Sequence, residues 1–230
     1  MRSTLHRLIT ICPGYSGPVS TVDAPEASPV CKGPWLFTQG EPHGSRTRVR
    51  RTGPAAVLFD RDGTLVEDLP YNGDPDRVRL MPSARAAVDA VRARGIPVGV
   101  VTNQSGIARG LLTPGAVEAV RRRVEELLGP LDVWAVCPHG PDDGCGCRKP
   151  APGLVHAACA ALDVGPRAAV VLGDIGADID AAEAAGATGV LIPTPVTRPE
   201  ETAAAEHTAP DLLTAVRALL GGCDDSGGGP

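Results

Sequence analysis

The string FDRDGTL, residues 59–65, sets two carboxylates two positions apart, Asp60 and Asp62, ahead of a glycine that lets the chain turn sharply. At that spacing both acids can face one site. A carboxylate that attacks phosphorus must share its site with a hard cation, because the phosphate it approaches is itself negative. On that chemistry Asp60 is the candidate nucleophile and a Mg2+ ligand, and Asp62 is the group that protonates the leaving oxygen and later deprotonates water. The same D-x-D-G string also opens solvated turns and calcium loops, so its meaning depends on what else converges on it.

Three other strings can converge. VVTNQSGIARG, residues 100–110, offers Thr102, Asn103, Gln104 and Ser105 as substrate contacts, since hydroxyls and free backbone N–H groups hold phosphoryl oxygens. Alone, Thr-Asn after a strand is turn or capping chemistry. CPHGPDDGCGCRKP, residues 137–150, spaces Cys137, His139, Cys145 and Cys147 as C-x-H-x5-C-x-C. Three thiolates and one imidazole form a closed tetrahedral Zn2+ set with no open position, hence a structural ion that pins an otherwise shapeless loop. Arg148 and Lys149 follow at once. Lys149 can neutralise Asp60 and the phosphate, and Arg148 can reach a more distant anionic group of the substrate through its fork of donors. VLGDIGADIDAAEAAG, residues 171–186, supplies Asp174 as a further Mg2+ ligand. Asp178 and Asp180 read equally well as first-turn acids that complement a helix dipole.

Positioning these groups requires an α/β scaffold. From residue 55 onward, short β-branched runs alternate with Ala-rich amphipathic stretches, which predicts a Rossmann-like parallel sheet flanked by helices. Strands are expected at 55–60, 97–102, 132–136, 168–174 and 188–193, and helices near 82–94, 114–128, 152–163, 177–186 and 209–220. Pro82 and Pro114 suit first helical turns, and Gly95, Gly129 and Gly186 suit stops. In such sheets ligands bind beyond the carboxyl ends of the strands, and Asp60, Thr102, Cys137 and Asp174 all fall at strand ends.

Residues 1–54 carry seven Lys or Arg against three Asp or Glu, a charge of +4, so the formal net charge of −5 leaves −9 for residues 55–230. The leader is rich in Pro, Gly, Ser and Arg and lacks periodicity, which predicts a disordered segment; a start codon assigned too early or a basic nucleic-acid arm are the other readings. One folded domain is expected over 55–221, with 222–230 a flexible tail. An acidic body argues against a nucleic-acid partner. No apolar run approaches the ~20 residues of a membrane span. Seven cysteines, three of them within eleven positions, look like metal ligation in a reducing compartment rather than a disulfide framework. A cytoplasmic monomer acting on a small metabolite is the expectation.

Together the four strings resemble the haloacid dehalogenase superfamily over residues 55 to about 200. The zinc loop beside RKP is similar to the branch containing heptose bisphosphate phosphatases and the histidinol-phosphatase domain, and TNQSGIARG looks like the heptose enzymes. The resemblance implies a Mg2+-dependent phosphatase that forms an aspartyl phosphate on Asp60, with Asp62 as acid and base and Lys149 stabilising charge. It implies that Thr102 and Asn103 contact phosphate and substrate. It further implies that Arg148 grips a retained anomeric phosphate, and that Asp60, the Asp62 carbonyl and Asp174 hold magnesium. Ile175 stands where these relatives commonly carry Lys or Arg. Only about 35 residues separate Thr64 from Val100, room for a helix and a loop but no large cap domain. Three rivals are a histidinol-phosphate phosphatase, a phosphatase of nucleic-acid ends, and a zinc-stabilised binding protein that lost catalysis.

Overall fold

Alternate residues of the segment Ala56–Phe59, β3, enter two different apolar cores. Val57 and Phe59 join one cluster with Val88, Val117 and Val216; Ala56 and Leu58 join another with Leu154, Ala158 and Ala181. A strand fully buried on both faces needs a layer of helices on each side. The computed structural model of the chain, which describes residues 6–10, 33–39 and 53–221, has that arrangement.

The strands are β1 (His6–Thr10), β2 (Trp35–Gln39), β3, β4 (Val98–Asn103), β5 (Val133–Cys137), β6 (Ala169–Gly173) and β7 (Thr188–Leu191). They form one sheet in the order β1-β2-β5-β4-β3-β6-β7. From β5 to β7 all pairings are parallel, with Phe59 beside Val100 on one side and Leu172 on the other. The helices α1 (Ala84–Ala93), α2 (Pro114–Leu128) and α6 (Leu212–Leu219) supply one core, and α3 (Gly153–Ala161) and α4 (Gly176–Ala185) the other. Thr113 caps α2 by accepting from the Ala116 N–H at 3.1 Å, Pro114 occupies its first turn, and Gly129 ends it at φ +81°. The expected strands and long helices are all present.

Two expectations need correction. The sheet is mixed, not parallel throughout, because β2 pairs antiparallel with β5 and β1 antiparallel with β2. Both strands lie in the segment 1–54 expected to be disordered, and residues 35–39 are an ordered part of the sheet. Leu36 and Phe37 are buried, and the Arg121 guanidinium lies 5.0 Å from the Phe37 ring centre. Three apolar residues in a row, Trp35 to Phe37, give this short strand enough burial to dock despite its Pro- and Gly-rich surroundings. Residues 1–5, 11–32 and 40–52 and the tail 222–230 lie outside the described residues. A short helix, α5 (Pro199–Ala204), was not expected. No helix among the described residues is long and apolar enough to cross a membrane.

Candidate active site

Strand order decides which side chains meet. β3 is flanked by β4 and β6, so the residues at the carboxyl ends of these three strands share one rim: Asp60, Thr102 to Gly106, and Asp174 to Ile175. There they line a cavity of about 300 Å³ together with Lys149 and Asp178.

After β3 the chain turns through Gly63 at φ +76°, with the Gly63 N–H donating to the Val66 carbonyl at 2.8 Å. A Cβ at Gly63 would stand 2.2 Å from Asp174 Oδ2, so only glycine lets the turn run against that carboxylate. Asp60 and Lys149 are both buried, and the Lys149 ammonium donates to Asp60 Oδ1 and to Asp178 Oδ1, each at 2.5 Å, and to the Val101 carbonyl at 2.8 Å. Burial opposes the charge on Lys149, yet Asp178 and Asp60 outweigh it and hold its pKa above the ordinary lysine value. Burial pushes the Asp60 carboxyl well above the usual range; Lys149 pulls it back, while Asp178, Asp62 and Asp174 push further. Asp174 rises to about 7 through burial and the neighbouring Asp178.

Asp178 is thus more than a helix-dipole acid. It is almost fully buried, and its Oδ2 accepts from the Ile175 N–H at 3.3 Å, so both oxygens are engaged in holding the lysine and the turn. Oxygens of Asp60, Asp174 and Asp178 lie within 4.8 Å of one another. Three carboxylates around one ammonium leave negative charge unbalanced, and an all-oxygen donor set of this kind suits a hard divalent cation. The Asp62 carboxylate stands apart from that trio. Arg61 grips it with Nε at 3.0 Å and Nη2 at 2.8 Å, and the Gln104 amide donates to its Oδ2 at 2.9 Å. The same amide nitrogen donates to Thr102 Oγ1 at 2.9 Å.

The other expected residues divide. Ser105 lines the cavity. Asn103 lines it too, but its amide is tied to Lys149: Nδ2 donates to the Lys149 carbonyl and Oδ1 accepts from the Lys149 N–H, both at 3.1 Å. Arg148 is not among the cavity residues; its Nη1 donates to the His139 carbonyl at 3.4 Å, because it projects along the cysteine loop. Arg61 and Val196 line the cavity without having been singled out, and Asp68 and Tyr71 line it as well. Arg61, the variable residue of D-x-D, had a signal in its charge between two acids. Val196, from a loop far along the chain, had none.

Cys137, His139, Cys145 and Cys147 gather at the end of β5. Sulfur–sulfur distances are 3.4 and 3.8 Å, and both Cys137 and Cys147 approach His139 Nδ1, at 3.5 and 3.3 Å. A tetrahedron with zinc–sulfur bonds of about 2.3 Å has edges of about 3.8 Å, so the donors fit that ion. Hydrogen bonding from Cys147 already draws the Cys137 thiol down to about 6 against the effect of burial.

Comparison with known proteins agrees with this chemistry. A family model described as HAD-hydrolase-like matches residues 146–219. The D-glycero-beta-D-manno-heptose-1,7-bisphosphate 7-phosphatase of Pseudomonas putida is 36% identical over 143 residues, 60% of this chain and 82% of that protein. Its counterpart from Escherichia coli is 35% identical over 163 residues, 65% of this chain and 85% of that protein. The crystal structure of D,D-heptose 1,7-bisphosphate phosphatase from B. bronchiseptica, complexed with magnesium and phosphate, superposes with a TM-score of 0.64 at 29% identity, covering 72% of this chain and 98% of that one.

Proposed function

Because the chain belongs to the haloacid dehalogenase-like family of phosphatases, in the branch of the heptose bisphosphate phosphatases, we propose that it removes the 7-phosphate of D-glycero-D-manno-heptose 1,7-bisphosphate through an aspartyl phosphate on Asp60. The observation that carries this reading is the meeting of Asp60, Lys149, Asp174 and the Asp62–Gln104–Thr102 chain of hydrogen bonds on one cavity.

An Asp60 carboxylate oxygen attacks phosphorus, the bond from phosphorus to the sugar oxygen breaks, and that oxygen takes a proton from Asp62. Asp62 then removes a proton from water, whose oxygen attacks phosphorus and breaks the bond to Asp60, releasing inorganic phosphate and restoring the carboxylate. Thr102 Oγ1 accepts from Gln104, which leaves the hydroxyl hydrogen for a phosphoryl oxygen. Lys149, seated between Asp60 and Asp178, offsets charge as the phosphoryl group passes onto Asp60. Magnesium held by Asp60, Asp174 and the Asp62 carbonyl would supply the remaining positive charge that lets one anion approach another. Zinc on Cys137, His139, Cys145 and Cys147 would fix the loop that presents Lys149. This thiolate set suits a reducing compartment, and the cytoplasm is the proposed setting.

Besides Arg148, the cation expected for the retained phosphate, Arg109 is a second candidate, although neither lines the cavity itself. The Arg109 guanidinium lies 5.6 Å from the ring centre of Tyr71, a cavity residue. The test is a comparison of kcat/KM for both heptose bisphosphate anomers against histidinol phosphate in Mg2+. The heptose substrate should be preferred by at least about a hundredfold, the range that a lost charged contact produces. A preference for histidinol phosphate would move the enzyme to the other branch. Asp60→Asn should abolish phosphate release, by at least about a thousandfold, while leaving the circular dichroism spectrum of the fold in place. Full activity in that variant would end the phosphatase reading.

A further inference from the structure

Four large hydrophobic residues are exposed among the described residues, and three of them, Tyr71 (42%), Ile175 (38%) and Val196 (65%), line the one cavity that holds Asp60. Single exposed hydrophobics are ordinary on a protein surface; their concentration around a polar site points to a ligand that brings carbon. Ile175 and Val196 come from separate segments, fastened together beside the site. Thr197 Oγ1 donates to the Asp174 carbonyl at 2.6 Å, which sets Val196 next to the turn that carries Ile175. The Thr194 N–H donates to Thr197 Oγ1 at 2.8 Å and stiffens the same loop. The cation nearest in sequence, Arg198, is paired with Glu201 at 2.8 Å. Tyr71 lies on the other flank: a Cβ at Gly106 would touch its Cδ1 at 2.9 Å, and Gly106 follows β4, whereas Ile175 follows β6. With β3 between those strands, apolar surface borders Asp60 on both sides.

We infer that Ile175 and Val196 form an apolar ledge, faced by Tyr71, that holds the first carbons of the leaving alcohol, so that the enzyme selects phosphomonoesters whose ester oxygen is borne on a carbon chain of three or more atoms with an exposed C–H face. This rests on the phosphatase reading and adds the basis of selection next to the ester. Ile175 and Val196 line the same cavity as Asp60 and Asp174, so the ledge meets the atoms nearest phosphorus and not the far end of the substrate. A polyhydroxylated chain can lay its C–H face there while its hydroxyls turn to water. A second anionic group close to the ester would be desolvated against the ledge without a partner, and is therefore directed toward Arg109 beside Tyr71.

Alkylphosphonates test this without turnover, since their phosphorus–carbon bond offers no leaving oxygen. Binding of inorganic phosphate and of methyl-, ethyl-, propyl- and pentylphosphonate to the full chain would be measured by calorimetry in Mg2+. Affinity should rise about two- to fourfold for each methylene up to propyl, as expected for carbon leaving water, and then level off. In Ile175→Ser/Val196→Ser the rise should fall below about 1.5-fold per methylene. Both positions are exposed, so the double variant should fold, and a melting curve checks it. A flat series in the parent protein, or an unaltered rise in the variant, would overturn the ledge. If neither inorganic phosphate nor methylphosphonate binds, the phosphatase reading falls with it; if both bind and the series is flat, only the ledge falls.

Discussion

Both hydrogens of the Gln104 amide are committed, one to Asp62 and one to Thr102, so a single side chain sets the proposed acid and base relative to the proposed phosphate anchor. Gln104→Leu keeps the size and removes both bonds. It should lower kcat by about tenfold to a hundredfold, a part of what a positioned acid and base contributes. Unchanged kcat would show that Asp62 is positioned by Arg61 alone. Asp174 yields a second expectation. An unfolded aspartate ionises near 3.8, whereas buried Asp174 ionises near 7, so between these values the folded chain keeps a proton that the unfolded chain has lost. Metal-free protein should therefore lose stability as pH rises from about 4 to about 7, a loss complete above that range. Magnesium binds the ionised form. The rise in Tm on adding Mg2+ to chelator-treated protein should accordingly be larger at pH 8 than at pH 5; equal rises would count against Asp174 as a ligand. Asp60, Asp62 and Asp174 were legible as residues of the cavity because each sits in a short, recognisable string. The part played by Asp178 was not, since the lysine it holds lies 29 positions earlier and only the fold joins them. Arg148, expected to reach the substrate, donates to the His139 carbonyl outside the cavity lining, a placement that adjacency to Lys149 does not reveal.

The element that delivers Lys149 is the loop from Cys137 to Pro150, fastened at one end by the cysteine–histidine cluster and at the other by the Asn103 amide on β4. Metal analysis should find about one zinc per chain. Stripping it with a chelator should lower Tm and reduce kcat about tenfold to a hundredfold, the usual cost of loosening the groups behind a reacting residue. A zinc-free protein with an ordered loop and full activity would contradict the assignment. Asn103, expected as a substrate contact and lining the cavity, also braces Lys149, a role that its sequence position next to Thr102 concealed. The long elements were legible because their hydrophobic period and their Pro and Gly boundaries agree, as in α2 from Pro114 to Gly129. Strand β2 was not, because a five-residue run inside a Pro- and Gly-rich stretch carries too little pattern to reveal the tertiary burial of Leu36 and Phe37.

At the scale of the whole molecule, β2 covers the edge that β5 would otherwise expose, and its two buried side chains add to the cores on both faces of the sheet. Deleting residues 1–54 should therefore do more than trim a leader. It should lower Tm by about 5–10 °C, judged from the loss of two large buried side chains, and promote association through the uncovered strand, visible by size-exclusion chromatography. A truncated chain that is monomeric and equally stable would mean that β2 is dispensable. Asp60, the proposed nucleophile, is well insulated from that edge. Three strands separate β1 from β3, which at about 4.8 Å per step places the two about 19 Å apart. A linker for surface immobilisation attached at the β1 side would thus hold the enzyme by its margin, leaving the mouth of the reaction chamber clear of the support.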